Sequence, residues 1–176
     1  MNDPRSLKVL VADDTDADRL ILETIVRKEG HQVFSAKNGL EAVAIFQQEH
    51  PDIVLLDALM PEMDGFDAAR QIKNLAGDEL VPIIFLTSLQ DTESLVHCLD
   101  AGGDDFLSKP YNRVILKAKI KSFNRMRGLH NTMITQRDQL AQHHQRLLQE
   151  QTVAKQVFDN VAHSGCLNAS NVRYFL

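Results

Sequence analysis

Between Lys8 and Ser108 the chain alternates between two hydrophobic patterns. Short apolar runs occur at Lys8-Val-Leu-Val-Ala12, Gln32-Val-Phe-Ser-Ala36, Asp52-Ile-Val-Leu-Leu-Asp57, Pro82-Ile-Ile-Phe-Leu-Thr87 and Asp104-Asp-Phe-Leu-Ser108. Their length and their Val, Ile and Phe content predict strands. Helical spacing separates them: Leu20, Ile21, Ile25 and Val26 recur on one face, as do Leu40, Val43, Ala44 and Ile45. Further amphipathic stretches cover Phe66–Asn74 and Thr92–Ala101. Glycines punctuate the pattern at Gly30, Gly39 and Gly102-Gly103. The order is βαβαβαβαβ, with a last helix starting near Asn112. Strands and helices in strict alternation predict an α/β fold, a doubly wound five-stranded parallel sheet covered on both faces.

Beyond Asn112 the pattern changes. Up to about Ala162 the only Gly or Pro is Gly128, which predicts a long C-terminal helix. Met126, Met133, Leu140, Leu147, Ala154 and Val161 fall seven residues apart. The positions three further on are Leu129, Gln136, His143, Glu150 and Val157, of which only the first and last are apolar. Half a heptad seam specifies a coiled coil weakly. Val161–Ser170 reads as a loop, and Asn171-Val-Arg-Tyr-Phe-Leu176 as the opening of a strand. The expected division is a domain over 1–125, a helical linker with coiled-coil character over 126–162, and the start of an effector domain of a longer protein over 163–176.

Composition narrows the function classes. Hydrophobic residues make up 44% and charged residues 24%, the balance of a folded soluble protein. No apolar run approaches the roughly 20 residues of a membrane span, and Met1–Lys8 lacks a signal-peptide core, so a cytoplasmic protein without membrane contact is expected. Cys98 and Cys166 show no metal or redox spacing and are expected as free thiols. Net charge is −5 but unevenly spread: residues 1–110 hold 9 Lys+Arg against 21 Asp+Glu, and residues 111–176 hold 10 against 3. The acidic part argues against direct contact with nucleic acid.

Ligands of open parallel sheets bind beyond the carboxyl ends of the strands. There the sequence places Asp13-Asp14 after the first strand, Asp57 at the end of the third, Thr87-Ser88 after the fourth and Lys109-Pro110 after the fifth. If these strands are neighbours, three carboxylates, a hydroxyl and an ammonium converge. Carboxylates so placed either take up protons or share a cation. An all-oxygen set suits Mg²⁺, which shares its shell with phosphate. Asp57 can then act as a nucleophile, with Lys109 and Thr87 contacting a transferred phosphoryl group.

This set resembles the receiver domain of two-component response regulators, and Asp57-Ala-Leu-Met-Pro-Glu-Met-Asp-Gly65 resembles that family's loop after the nucleophile. The resemblance covers residues 7 to about 125. It implies a flavodoxin-like sheet of order 2-1-3-4-5. It further implies that Asp57 accepts a phosphoryl group from a histidine kinase or phosphotransfer protein. Mg²⁺ would be held by Asp14, Asp57 and the Leu59 backbone carbonyl, with Asp13 acting mainly through water. Thr87 and Phe106 would form the switch, and Lys109-Pro110 a cis peptide that helps aim Lys109. Leu59 and Leu89 stand where the family tunes phosphoryl lifetime; both are apolar and cannot orient water, which implies a long-lived phosphoryl state. The segment from Lys155 to Tyr174 is similar to the approach to the PP2C-like serine phosphatase domain of fused receiver–phosphatase regulators.

Competing readings are weaker. Asp14-Thr-Asp16-Ala-Asp18 lacks the Gly and Glu of a calcium loop, since Arg19 and Ile25 stand at the sixth and twelfth positions; Asp16 and Asp18 read as the first turn of a helix. The same stretch lacks the final Thr or Val of haloacid dehalogenase-type phosphatases. The different-class alternative is a pseudo-receiver, a constitutive interaction or dimerisation module that does not use Asp57. Phe106 is expected to be buried in either case. The basic run Arg113, Lys117, Lys119, Lys121, Arg125, Arg127 reads either as a solvated face or as the partner of Glu93, Asp100, Asp104 or Asp105 across a homodimer formed by the fourth and fifth helices. The C-terminal helix offers a second dimer surface. His143 and His144 read as residues of a solvated helix, and His163 as a loop residue rather than a phosphoacceptor.

Overall fold

The computed structural model describes residues 6–88 and 92–163. In chain order the elements are β1 (Lys8–Ala12), α1 (Asp16–Lys28), β2 (Gln32–Ala36), α2 (Gly39–Glu49), β3 (Ile53–Asp57), α3 (Gly65–Ala76), β4 (Ile83–Thr87), α4 (Thr92–Asp100), β5 (Asp105–Ser108) and α5 (Arg113–His163). The five strands form one parallel sheet in the order β2-β1-β3-β4-β5. β3 and β4 are buried along their whole length, as strands covered on both faces must be.

Two apolar layers sandwich the sheet. On one face Leu22, Ile25 and Val26 of α1 and Leu116, Ile120 and Phe123 of α5 pack on Val9, Val11, Leu55 and Leu86. On the other, Ala42 and Phe46 of α2, Phe66, Ala69 and Ile72 of α3, and Cys98 of α4 pack on Leu10, Leu56 and Phe85. The helix faces differ by a residue or two from the expected stripes. Leu20, Ile21 and Leu40 are exposed, whereas Leu22, Ala42 and Phe46 are buried. Each helix carries more apolar residues than its buried stripe holds, so periodicity alone leaves the phase open.

Side-chain caps fix the helix starts that border the carboxyl edge of the sheet. Asn38 accepts from the Glu41 amide at 2.8 Å, Asp64 from the Asp67 amide at 2.8 Å, and Asn112 from the Val114 amide at 2.9 Å.

The chain divides into two compact units, Met1–Gly128 and Leu129–Leu176. In the first, the basic run on α5 is tied to the acidic sheet domain within the same chain. Arg113 and Lys117 pair with Glu29, Lys119 with Asp105, and Arg127 with Asp52 and the Leu80 carbonyl. Four of the six cations of the run thus have partners within the chain. Asp104, an expected dimer partner, is engaged by Lys73. In the second unit residues up to His163 are helical, and Met133, Leu140 and Leu147 are exposed. Residues 161–163, expected to open a loop, instead end the helix; the rest of that loop, the strand expected at 171–176, Cys166 and the position of Leu89 lie outside the described residues, as does the side chain of Glu93. Among the described residues no helix is long and apolar enough to cross a membrane.

Gly65 opens α3 directly beneath Asp57. A Cβ there would stand 2.0 Å from the Asp57 carbonyl oxygen and 3.0 Å from the Ala58 Cα, both backbone atoms where β3 ends. Gly65→Ala is therefore expected to cost at least about 1–3 kcal/mol, the range of an overpacked core, read as a lowered urea midpoint.

Candidate functional site

At the carboxyl edge of the sheet, Asp13-Asp14 follow β1, β3 ends in Asp57 and β4 in Thr87, and the turn after β5 carries Lys109. β1 and β3 are neighbours, so Asp13 and Asp57 stand side by side; Lys109 reaches them from beyond β4. Its Nζ donates to Asp57 Oδ2 at 2.7 Å and to Asp13 Oδ2 at 2.9 Å. It also lies 3.1 Å from Asp18 Oδ2. The Lys109-Pro110 peptide is cis. Thr87 is buried at the end of β4, where its carbonyl accepts the Lys109 amide at 2.9 Å.

Asp13 is fully buried, and its oxygens are engaged. Oδ1 accepts the Thr15 amide at 2.9 Å, and Oδ2 accepts Tyr111 Oη at 2.9 Å beside Lys109. The Arg19 guanidinium, also buried, donates to the Asp13 carbonyl at 2.7 Å and pairs with Asp16, which holds the acidic turn against α1. Asp14 is exposed, and its Oδ1 accepts the neighbouring Thr15 hydroxyl at 3.4 Å. Asp57 is buried, and its Oδ1 accepts the Leu59 amide at 3.3 Å. The Leu59 side chain is 57% exposed.

Electrostatics follow from burial and crowding. Burial pushes the Asp57 carboxyl above the ordinary carboxylate range; the Lys109 hydrogen bond opposes this and the Asp13 charge reinforces it. For Lys109 burial disfavours the ammonium, but bonds to Asp57, Asp13 and Asp18 outweigh it and hold the lysine protonated well above its usual range. Burial, then the Asp13 charge, raises the Tyr111 phenol, so its hydroxyl remains a donor. Asp13, Asp14 and Asp57 each offer a carboxylate oxygen, all within 4.8 Å of one another. Hard, all-oxygen donors in that arrangement fit a divalent cation such as Mg²⁺.

The response regulator receiver domain model matches residues 9–121. The chain belongs to the response regulator receiver family. Its receiver domain is 41% identical over 115 residues to a protein named as a probable transcriptional regulator, ycf27, of Porphyridium aerugineum, a match covering 65% of this chain and 47% of that protein. It is 35% identical over 122 residues to the response regulator PleD of Caulobacter vibrioides, covering 69% of this chain and 27% of PleD. The chain spans about half the length of the first curated relatives it matches. Among solved structures, the receiver domain of the Francisella response regulator 1452 aligns with a TM-score of 0.64 at 27% identity, over 69% of this chain and 98% of that one.

The structure thus brings Asp13, Asp14, Asp57 and Lys109 of the expected set into one pocket. Phe106 departs from expectation. Its ring is 37% exposed, because β5 is an edge strand and only its alternate residue Leu107 faces the α1–α5 layer. Sequence reasoning missed Tyr111 and Arg19, and it read Asp18 only as a helix-turn residue. Tyr111 stands two residues past Lys109, and Asp18 lies in the first turn of α1; that spacing was the available signal. The raised Asp57 carboxyl penalises the native state once ionised. Its removal is therefore expected to stabilise the fold above the folded-state pKa, with the gain lost as pH falls through that pKa towards the ordinary carboxylate range. Thermal melts of Asp57→Asn and wild type in chelator-treated buffer from pH 7 to pH 4 check this: the two melting points should converge at the acid end.

Proposed function

We propose that this receiver accepts a phosphoryl group on Asp57 from a histidine kinase or phosphotransfer protein and passes the change along α5 to an effector. The observation that carries this is the Lys109 ammonium bridging Asp57 and the buried Asp13 beside a third carboxylate. A carboxylate oxygen of Asp57 forms a bond to phosphorus while the donor's P–N bond breaks, leaving its electron pair on the imidazole. The ionic character of Asp57 shifts from carboxylate to acyl phosphate, and Lys109 follows the new charge. Asp14, Asp57 and the Leu59 carbonyl would hold Mg²⁺, with Asp13 contacting it through water. Bound there, the ion would offset negative charge on the phosphoryl oxygens.

Thr87 is the hydroxyl that turns to the phosphoryl group, and the exposed Phe106 ring is the group that moves inward behind it. Inward rotation would bury apolar surface now in contact with water, which favours the switched state. The cis-paired basic residues of α5 tie that helix to the sheet domain, so a rearrangement of β5 is felt at α5 through Lys119 and Asp105. The exposed Met133, Leu140 and Leu147 support pairing of two copies through the C-terminal helix. A PP2C-like serine phosphatase as effector has its support in the stretch from Lys155 to Tyr174.

Intact mass after incubation with acetyl phosphate tests the reading. One phosphoryl group is expected with Mg²⁺ and none without it, and Asp57→Asn should stay unmodified in both. Uptake by Asp57→Asn, or no uptake together with no beryllofluoride binding by wild type, would overturn the assignment and favour a pseudo-receiver.

A further inference from the structure

Lys109 has three ammonium hydrogens, and the structure surrounds it with three carboxylates: Asp57 at 2.7 Å, Asp13 at 2.9 Å and Asp18 at 3.1 Å. We propose that Asp18 is a positioning residue that holds Lys109 in the resting state and competes with a phosphoryl group for it. The inference rests on the phosphoacceptor reading of Asp57.

The three partners are not equivalent. Asp13 is fully buried, so losing Lys109 would leave a dehydrated charge. Asp57 is the site of the added phosphoryl group, whose oxygens present fresh acceptors to the same ammonium. Asp18 differs from both. Its side chain is 32% exposed, and it sits in the first turn of α1, where water can replace the ammonium at small cost. When Asp57 gains a phosphoryl group, the acceptors around Lys109 exceed its donors, and the partner that yields is the one easiest to rehydrate. Asp18 therefore sets part of the cost of entering the phosphorylated state.

Its neighbour Asp16 shows that position in the turn alone does not give this role, since Asp16 is taken by Arg19. Asp18 acts through Lys109 and needs no contact with the phosphoryl group itself.

Beryllofluoride, which stands in for a phosphoryl group on a carboxylate, gives the test. Titration of wild type, Asp18→Ala and Asp18→Glu is made at saturating Mg²⁺, with thermal melts to confirm that each variant is folded. Asp18→Ala is expected to bind about two- to fivefold more tightly than wild type, the size of a partly exposed ion pair, and to lose acyl phosphate more slowly. Asp18→Glu should return towards wild type. A merely structural role in the first turn of α1 predicts weaker binding by Asp18→Ala. Wild-type binding with unchanged or weakened affinity in Asp18→Ala overturns this inference alone. Absence of wild-type binding overturns the phosphoacceptor reading and this inference with it.

Discussion

Three ionised carboxylates can occupy one pocket at the end of a sheet only if a cation stands among them. Here that cation is Lys109, and the rest of the site is arranged around its reach. β1 and β3 are adjacent because the chain crosses over, so Asp13 and Asp57 are neighbours by topology. β5 lies two strands from β3. Only a long, flexible side chain can cover that distance and still present hydrogens to both carboxylates. Tyr111 takes the second place on Asp13 Oδ2, and the Thr15 amide fills Oδ1. Asp13 is thereby satisfied in full, while Asp14 faces solvent with little to bind, so the pocket divides between a fixed anion and an available one.

The strands and their order were legible because each buried strand reads as a short, nearly unbroken apolar run between polar turns. The ends of three such runs marked pocket residues, so Asp13, Asp57 and Thr87 could be found before any geometry was known. The faces of the helices were less legible. In α1, Leu20 and Ile21 are as apolar as Leu22, and only packing against the sheet decides which is buried. Phe106 failed as an expected core residue for a related reason. Alternation along β5 is clear in the sequence, but whether a helix covers the outer side of an edge strand is a tertiary fact.

Charge was harder still. The sequence divides into an acidic first part and a basic last part. The structure folds the basic stretch back onto the acidic one, with Glu29, Asp52 and Asp105 as its receivers. The pairing with Lys117 and Arg113 holds the Glu29 carboxyl below the ordinary range. Ion pairs between elements far apart in sequence leave no local signature. Asp18 belongs to the same class: helix-turn chemistry explains its presence, and only the approach of Lys109 from the far edge of the sheet reveals a second use.

The strand order also fixes when the pocket's charges meet during synthesis. A chain emerging from its N-terminus can pair β1 with β2 and then β3 once residue 57 is available, which sets Asp13 beside Asp57. Lys109 follows only after β4, α4 and β5 have been made. Until then the nascent sheet holds two crowded acids with no counter-charge, protonated or drawing ions from solution. Docking of β5 and the first turns of α5 relieves that repulsion in one step, so the last part of the fold to arrive is also the part that neutralises the first.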